Sequence, residues 1–476
     1  MLIGRKREVK LLKTSFESNK SEFVIVYGRR RVGKTFLIKE TFNDKMFFRF
    51  TGMKNDEGKS NNDILLRFML DNFCDKLNVS NKTGINNWLN AFNLLKTKIT
   101  NCKDKAKKVI FIDELPWMDI EGSMLVSAID DFWNDFCNYR NDILLIICGS
   151  SASWITKKIF TNRTGLHNRH TLKLYIEPFT LKETEDFLIA KGLNYSRYQV
   201  VETYMVLGGI PYYLDLFDKN MSLSQNIDNL LFSNTALLKN EYTDLFSSLF
   251  KDSTLYVKVI ELLVKCKIGM DKNRIAKELG VGNNGYLGDV LETLENCSFV
   301  RKYYIYPNKQ RNAIYQIIDN YVIFYLNYLK NKPLFIEYYT KNYEKPQLNS
   351  WRGFAFERVC LLNIKSIIEY MRIGGIGYSV SAFNFQTSQI DLVLDRSDGI
   401  INLFEIKFSI SPYMIDKEYH QKLLNKYSDF KENNKKKSKT IKLVFLTTFG
   451  LVNNEYSSIV SSSFDMNCLF YDVEIW

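Results

Sequence analysis

The sequence predicts a multi-domain α/β protein, and three observations carry that expectation. The chain has 476 residues, about three times the roughly 150 residues of a typical domain. Its first 180 residues alternate short apolar runs with longer helical patterns: Phe23-Val24-Ile25-Val26-Tyr27, Val109-Ile110-Phe111-Ile112 and Leu144-Leu145-Ile146-Ile147-Cys148. Buried parallel strands joined by helices read this way. From about 181 to 329 the pattern turns mostly helical, and after Trp351 short strands return around one helix. The expected division is an α/β core over 1–178, a helical segment over 179–248, a small module over 249–320, a helical linker over 321–345 and a second α/β domain over 346–476.

Composition narrows the class. Hydrophobic residues make up 46 %, enough for several cores, and 65 Lys plus Arg against 53 Asp plus Glu leave a net charge of +12. That balance favours an anionic partner without specifying nucleic acid. The eight cysteines form no C-x-x-C pair and only three histidines are present, so neither a disulfide framework nor structural zinc is expected. Apolar runs fall far short of the ~20 residues that span a bilayer. The expected setting is a reducing cytoplasm, with no membrane partner.

The strongest motif follows the first apolar run. Gly28-Arg29-Arg30-Arg31-Val32-Gly33-Lys34-Thr35 fits G-x-x-x-x-G-K-[ST], and Phe36 continues into the helical Leu37-Ile38-Lys39-Glu40. The glycines let the backbone curl so that successive N–H groups face a phosphate, and the helix N-terminus adds positive potential. Residues Gly28 to Phe36 are therefore expected to cradle ATP, with Lys34 reaching its terminal phosphates and Thr35 ligating Mg²⁺. A second run ends in two carboxylates, Asp113 and Glu114. At the carboxyl edge of a parallel sheet, Asp113 would hold Mg²⁺ and Glu114 would orient or deprotonate the attacking water.

With these residues in hand, the chain resembles the AAA+ superfamily, and more narrowly the archaeal-type ATPases grouped with the STAND signalling ATPases. Ile3-Gly4-Arg5-Lys6-Arg7-Glu8 is similar to the hhGRExE motif, Cys148-Gly149-Ser150-Ser151 to the end of the sensor strand, and Gly209-Ile210-Pro211 to the G-x-P signature of a helical lid. The resemblance covers roughly the first 240 residues. It implies that Ile3 and Arg5 lie near the nucleotide base and that Ser150 or Ser151 senses the γ-phosphate. It also implies that Pro211 couples nucleotide state to the lid. Arg169, with Arg163 close by, falls where the resemblance places an arginine finger; supplied by a neighbouring copy, it would tie hydrolysis to a homo-oligomer. A solvated surface arginine is the alternative reading. His167 and His170 lack a third ligand and read as loop residues.

Residues 253–318 read as three helices and a hairpin, an order that resembles a winged helix-turn-helix, with Lys309-Gln310-Arg311 as the wing. Arg301 and Lys302 are the flanking candidates for phosphate contact, whereas Asp289, Glu292 and Glu295 on the third helix would repel phosphates. DNA contact and a protein-protein role both stay open for this module.

The last module carries a second constellation. Glu357 is one acid on an otherwise apolar helix, Asp391 lies in one expected strand, Ser397-Asp398-Gly399 is a hairpin turn, and Glu405-Ile406-Lys407 lies in the return strand. Period-2 alternation puts Glu405 and Lys407 on one face, and the hairpin brings them near Asp391. The set Asp391-x13-Glu405-x-Lys407 resembles the PD-(D/E)xK nuclease core, with no proline before Asp391. The resemblance implies a restriction-endonuclease-like fold in which Glu357, Asp391 and Glu405 hold Mg²⁺ or Mn²⁺ and Lys407 activates water. Seen alone, E-x-K is also a common ion pair on an exposed strand. The Lys-rich stretch 431–439 is expected to be a solvated loop.

The combined expectation is a P-loop AAA+ sheet with a helical lid, a winged helix and a nuclease-like domain acting on DNA under nucleotide control. A regulatory ATPase whose terminal fold binds nucleic acid or protein without cleavage is the competing reading. A DNA-translocating motor is a third, disfavoured by the lack of a pore-loop aromatic after the second strand.

Overall fold

A computed structural model describes residues 2–54, 62–150, 152–160, 166, 168–250, 253–307, 313–331, 336–385, 388–434 and 438–472. The chain forms two compact units, Met1–Glu177 and Pro178–Trp476. Among the described residues no helix is long and apolar enough to cross a membrane.

In the first unit five strands, β1 (Glu22–Tyr27), β2 (Met46–Thr51), β3 (Lys108–Asp113), β4 (Ile143–Gly149) and β5 (Leu172–Tyr175), form one sheet in the order β2-β3-β4-β1-β5. All neighbours run parallel. Every residue of β3 and β4 is buried, so both sheet faces must be covered, which explains the continuous apolar runs in place of alternation. Helices Lys34–Phe42, Asn62–Lys76 and Trp88–Thr100 are among the connections. Trp88 anchors one face: its ring packs at 5.6 Å from Phe50 and 5.7 Å from Phe73, and its indole N–H donates to the Met118 carbonyl at 3.0 Å. The run Met46-Phe47-Phe48-Arg49-Phe50-Thr51 escaped the sequence reading because Arg49 interrupts an otherwise apolar strand; only Phe48 and Phe50 of it are fully buried.

The second unit opens with helices Leu181–Ala190, Arg197–Leu207, Pro211–Asp215 and Glu241–Leu249. Next come helix Thr254–Val264, β6 (Met270–Asp271), helices Lys272–Leu279 and Gly285–Asn296, β7 (Val300–Tyr303) and β8 (Ile314–Ile317). These three strands pair in the order β6-β8-β7, antiparallel throughout. The stretch expected to be a wing, Lys309-Gln310-Arg311, lies outside the described residues, as do Ser151, Arg163 and His167.

The last part holds helix Pro346–Leu362, helix Ile364–Tyr370 and five more strands: β9 (Tyr378–Phe385), β10 (Ser388–Arg396), β11 (Ile400–Lys407), β12 (Thr440–Thr447) and β13 (Ser462–Phe464). Their order is β13-β12-β11-β10-β9. The β9-β10-β11 meander is antiparallel, and helix Lys417–Asn433 crosses over to parallel β12. The chain just after β7 extends onto β9: Ile305 bridges Ala382, and the Tyr306 N–H donates to the Ala382 carbonyl at 2.7 Å. Tyr306 then packs on Phe430 at 4.9 Å and donates its hydroxyl to Asn434 at 2.6 Å.

One expectation is corrected here. The Lys-rich stretch is not a plain solvated loop: helix Lys417–Asn433 runs into it, and Lys439 folds back to Asp395 at 2.6 Å and to the Arg396 carbonyl. A buried carboxylate at the end of β10 recruits that lysine, because an ionised group out of water needs a counter-charge.

Candidate functional site

The phosphate motif forms the turn between β1 and helix Lys34–Phe42. Gly28 has φ +146°, and a Cβ there would stand 2.4 Å from the Ile176 carbonyl oxygen, so only glycine fits. Gly33, at φ +86°, is the N-cap of the helix and brings no side-chain cap. The first-turn N–H groups are thus left for an anion. Arg29 and Val32 are buried, Arg30 and Arg31 half-buried, and Phe36 is exposed. The buried Lys34 ammonium donates to the Gly28 and Arg29 carbonyls at 3.0 and 2.9 Å, which holds it inside the loop.

Two strand ends complete the site. Thr35 donates its hydroxyl to Asp113 Oδ2 at 2.8 Å, while Asp113 Oδ1 accepts the Glu114 N–H at 3.0 Å. A hydroxyl and a carboxylate in contact beside a phosphate loop are a donor set that fits Mg²⁺, a hard cation bound through few protein oxygens plus substrate phosphates. Glu114 sits in the left-handed region at φ 47°. Its carboxylate accepts from both the backbone N–H and the hydroxyl of Ser150, at 3.2 and 2.8 Å. Gly52 and Gly149 flank this turn. A Cβ at Gly52 would stand 2.5 Å from the Glu114 carbonyl oxygen, and one at Gly149 would stand 2.7 Å from Pro116 Cδ. Gly52 directly follows β2 and has no place in the sequence motifs, whereas Gly149, the last residue of β4, belongs to the Cys148-Gly149-Ser150-Ser151 stretch.

Lys34, Thr35, Asp113, Glu114 and Ser150 therefore converge at the carboxyl ends of β1, β3 and β4. Arg5, in the left-handed region at φ 57°, donates Nη2 to the Val32 carbonyl at 3.2 Å and so braces the loop from behind; Ile3 lies half-buried beside it. Arg169 stands exposed in the turn before β5. Pro211 opens a helix of the second unit.

The second constellation is in the second unit. Asp391 in β10 lies one residue beyond the pair Leu392–Phe404, at a bulge, and thus across the hairpin from Glu405. Glu357, Asp391, Glu405 and Lys407 line one cleft of about 290 Å³. Glu405 is 5 % exposed and heavily engaged. Tyr419 donates to its Oε1, the Lys407 ammonium lies 3.0 Å from the same oxygen, and Lys426 donates to Oε2 at 2.8 Å. Burial works against the Glu405 charge, but Lys407 and Lys426 outweigh it and hold the carboxyl below its usual range. Burial likewise opposes the Lys407 charge, and Glu405 more than restores it. Glu357 is pushed up to about 8, first by burial and then by Asp391. Tyr419 and Lys426 were missed in the sequence; seven residues apart, they share one face of helix Lys417–Asn433.

Among the described residues no three His, Cys, Asp or Glu side chains gather tightly enough to cage a metal ion. Glu357 thus does not join Asp391 and Glu405 in a three-carboxylate cage. Two carboxylates still fit Mg²⁺, which is commonly held by one or two of them together with water and substrate phosphate.

The parallel sheet, its glycine loop and the Thr35–Asp113–Glu114 constellation define a P-loop ATPase. Residues 2–217 match the family described as "ATPase domain predominantly from Archaea". That match makes this region an ATPase domain of the archaeal type. Over 418 residues it is 25 % identical to the uncharacterized protein MJECL04 of Methanocaldococcus jannaschii, covering 86 % of this chain and 88 % of that one. A 45-residue stretch is 47 % identical to the uncharacterized ATP-binding protein MJ0423 of the same organism, covering 10 % of this chain and 76 % of that one. Among solved structures, the Walker-type ATPase PABY2304 of Pyrococcus abyssi aligns with a TM-score of 0.49 at 16 % identity, over 68 % of this chain and 96 % of that one.

Proposed function

We propose that this ATPase uses its nucleotide state to govern a metal-dependent nuclease formed by its C-terminal α/β module, with DNA as substrate. The observation that carries the reading is the pairing of Glu405 with Lys407 on one strand face at 3.0 Å, in a cleft shared with Asp391.

In the ATP half, Lys34 and the loop N–H groups bind the phosphates, and Thr35 and Asp113 hold Mg²⁺. Glu114, steadied by Ser150, orients the water that attacks the γ-phosphorus; the bond to the β,γ-bridging oxygen breaks and ADP and phosphate leave. Ser150 also reports the γ-phosphate, Arg169 acts as a finger toward a neighbouring copy, and Pro211 relays the state to the helical lid. In the nuclease half, Asp391 and Glu405 hold Mg²⁺ or Mn²⁺, which would polarise the scissile phosphate. Lys407 positions water for attack on phosphorus. One P–O bond forms, the P–O bond to one sugar oxygen breaks, and that oxygen takes up a proton. Residues 253–318 read as a winged helix, supported by the helix-strand-helix-helix-strand-strand order.

A specific observation favours one alternative. Both Glu405 oxygens already accept from cations or a phenol, as in a nuclease-like fold retained for binding alone. Cleavage of supercoiled plasmid and of circular single-stranded DNA with Mg²⁺ or Mn²⁺, with ATP, ADP or neither, separates the two. Metal-dependent nicking abolished by Glu405→Ala, Lys407→Ala and EDTA, and altered by nucleotide, supports the nuclease. Equal inertness of wild type and variants in every condition overturns it in favour of binding.

A further inference from the structure

The cleft around Glu405 is not built by the C-terminal module alone. Its far wall comes from the small three-stranded module: Lys267, Ile268, Arg301, Tyr303 and Gln316 line the same cavity as Glu357, Asp391 and Lys407. The wall is fastened to the sheet, since Tyr306 is bonded to Ala382 at 2.7 Å and to Asn434 at 2.6 Å.

Two cations of this wall face the acids. Arg301 is held in place: Nε donates to Gln316 Oε1 at 2.7 Å and the guanidinium lies 4.6 Å from the Tyr303 ring. Among the described residues its two terminal nitrogens make no hydrogen bond, and the Lys267 ammonium, over the Phe354 ring, makes neither a hydrogen bond nor an ion pair. Burial lowers the pKa of both, with Asp391 opposing this at Arg301 and Glu357 opposing it at Lys267. Arg301 is a donor fixed without an acceptor in a polar cleft, the arrangement that receives an anionic oxygen, and Lys267 stands exposed at the rim of the same cleft. Tyr303, Ile305, Phe354 and Leu361 add apolar and aromatic surface to the same walls. Cations beside aromatic surface are how unpaired strands are gripped. An open cleft of about 290 Å³ admits one nucleotide at a time, whereas a duplex would meet only its mouth.

We infer that Arg301 and Lys267 are phosphate-binding residues of this cleft, and that it takes a single unpaired nucleic-acid strand rather than a duplex. The inference rests on the nuclease reading for what happens next, but its test does not. Full-length protein is titrated, in Ca²⁺ to prevent turnover, into fluorescein-labelled 15-nucleotide single strands of DNA or RNA and into the blunt DNA duplex, with anisotropy as readout.

At least tenfold tighter binding of a single strand than of the duplex is expected, and the better of the DNA and RNA arms identifies the sugar. Arg301→Gln should weaken single-strand binding about fivefold and lower the salt slope by about one. Arg301→Lys should restore most of the slope. Equal affinity for strand and duplex overturns the inference, as does an Arg301→Gln variant that keeps wild-type affinity and slope. Preferential binding of a strand that is never cut with Mg²⁺ or Mn²⁺ supports the cleft assignment and overturns the nuclease reading instead.

Discussion

The hydroxyl of Thr35 donates to Asp113 across 78 positions of sequence, at 2.8 Å. One hydrogen bond thereby fuses the two motifs of the ATP site, and it needs no third element to do so. Ser150 then ties the adjacent Glu114 to the end of a further strand. The constellation is preformed at three strand ends.

Glu114→Gln should therefore bind ATP normally and hydrolyse it about 10²–10⁴-fold more slowly, the usual contribution of a positioned base. Ser150→Ala removes a hydrogen bond to a carboxylate, worth roughly 1.5–3 kcal/mol, or about 10- to 100-fold in kcat. Lys34→Ala should lose nucleotide binding itself. Phosphate release together with nucleotide-binding titrations checks all three, and unchanged hydrolysis in Glu114→Gln would remove Glu114 from its role.

Gly52→Ala places a methyl group against the Glu114 carbonyl. Overpacking of this kind costs about 1–3 kcal/mol, and here the strain falls on the residue that orients water. A drop in kcat larger than the drop in thermal stability is expected, read from parallel hydrolysis and melting curves.

The opposite end of the sheet supports stability rather than chemistry. Asp142 accepts from Arg140 at 2.8 Å and from Lys108 at 3.0 Å. Burial works to raise its pKa, but these bonds prevail and hold it below the usual carboxylate range. A lowered folded-state pKa gives stability that is present above the ordinary value and is lost as pH falls through the lowered one. Asp142→Asn should therefore destabilise the protein by about 1.5–3 kcal/mol at pH 7. Denaturant unfolding followed by tryptophan fluorescence should show that difference shrinking from about pH 5 downward.

In the second unit the ion pair of Glu202 with Arg352, 3.0 Å apart and nearly inaccessible, joins helix Arg197–Leu207 to helix Pro346–Leu362. Tyr343 donates to the same glutamate at 2.7 Å. Arg352→Met strands a buried carboxylate and should cost about 3–5 kcal/mol, whereas replacing both partners by apolar residues should cost much less. Denaturation midpoints of the single and double variants test this.

Where the sequence was informative, chemistry and local geometry demanded the same residue. Gly28, Gly33 and Lys34 are readable because a curled loop and a phosphate both require them, and the Asp398-Gly399 turn reveals β10 and β11 for the same reason. Tyr419, Lys426, Arg301 and Lys267 reach the Glu405 cleft from elements distant in sequence, so no spacing announces them. The same holds for Lys439, whose place depends on Asp395. Tyr419 and Lys426 share one face of helix Lys417–Asn433, but that this face looks onto Glu405 is a property of the crossover, visible only once the sheet order is known.

The contact of Tyr306 with Ala382 has a practical consequence for anyone dissecting the chain. β9 is the terminal strand of its sheet, and residues 304–306 occupy part of the backbone edge that would otherwise invite another chain to pair. A fragment beginning at helix Pro346–Leu362 would carry that edge bare, so it should self-associate where the intact polypeptide does not.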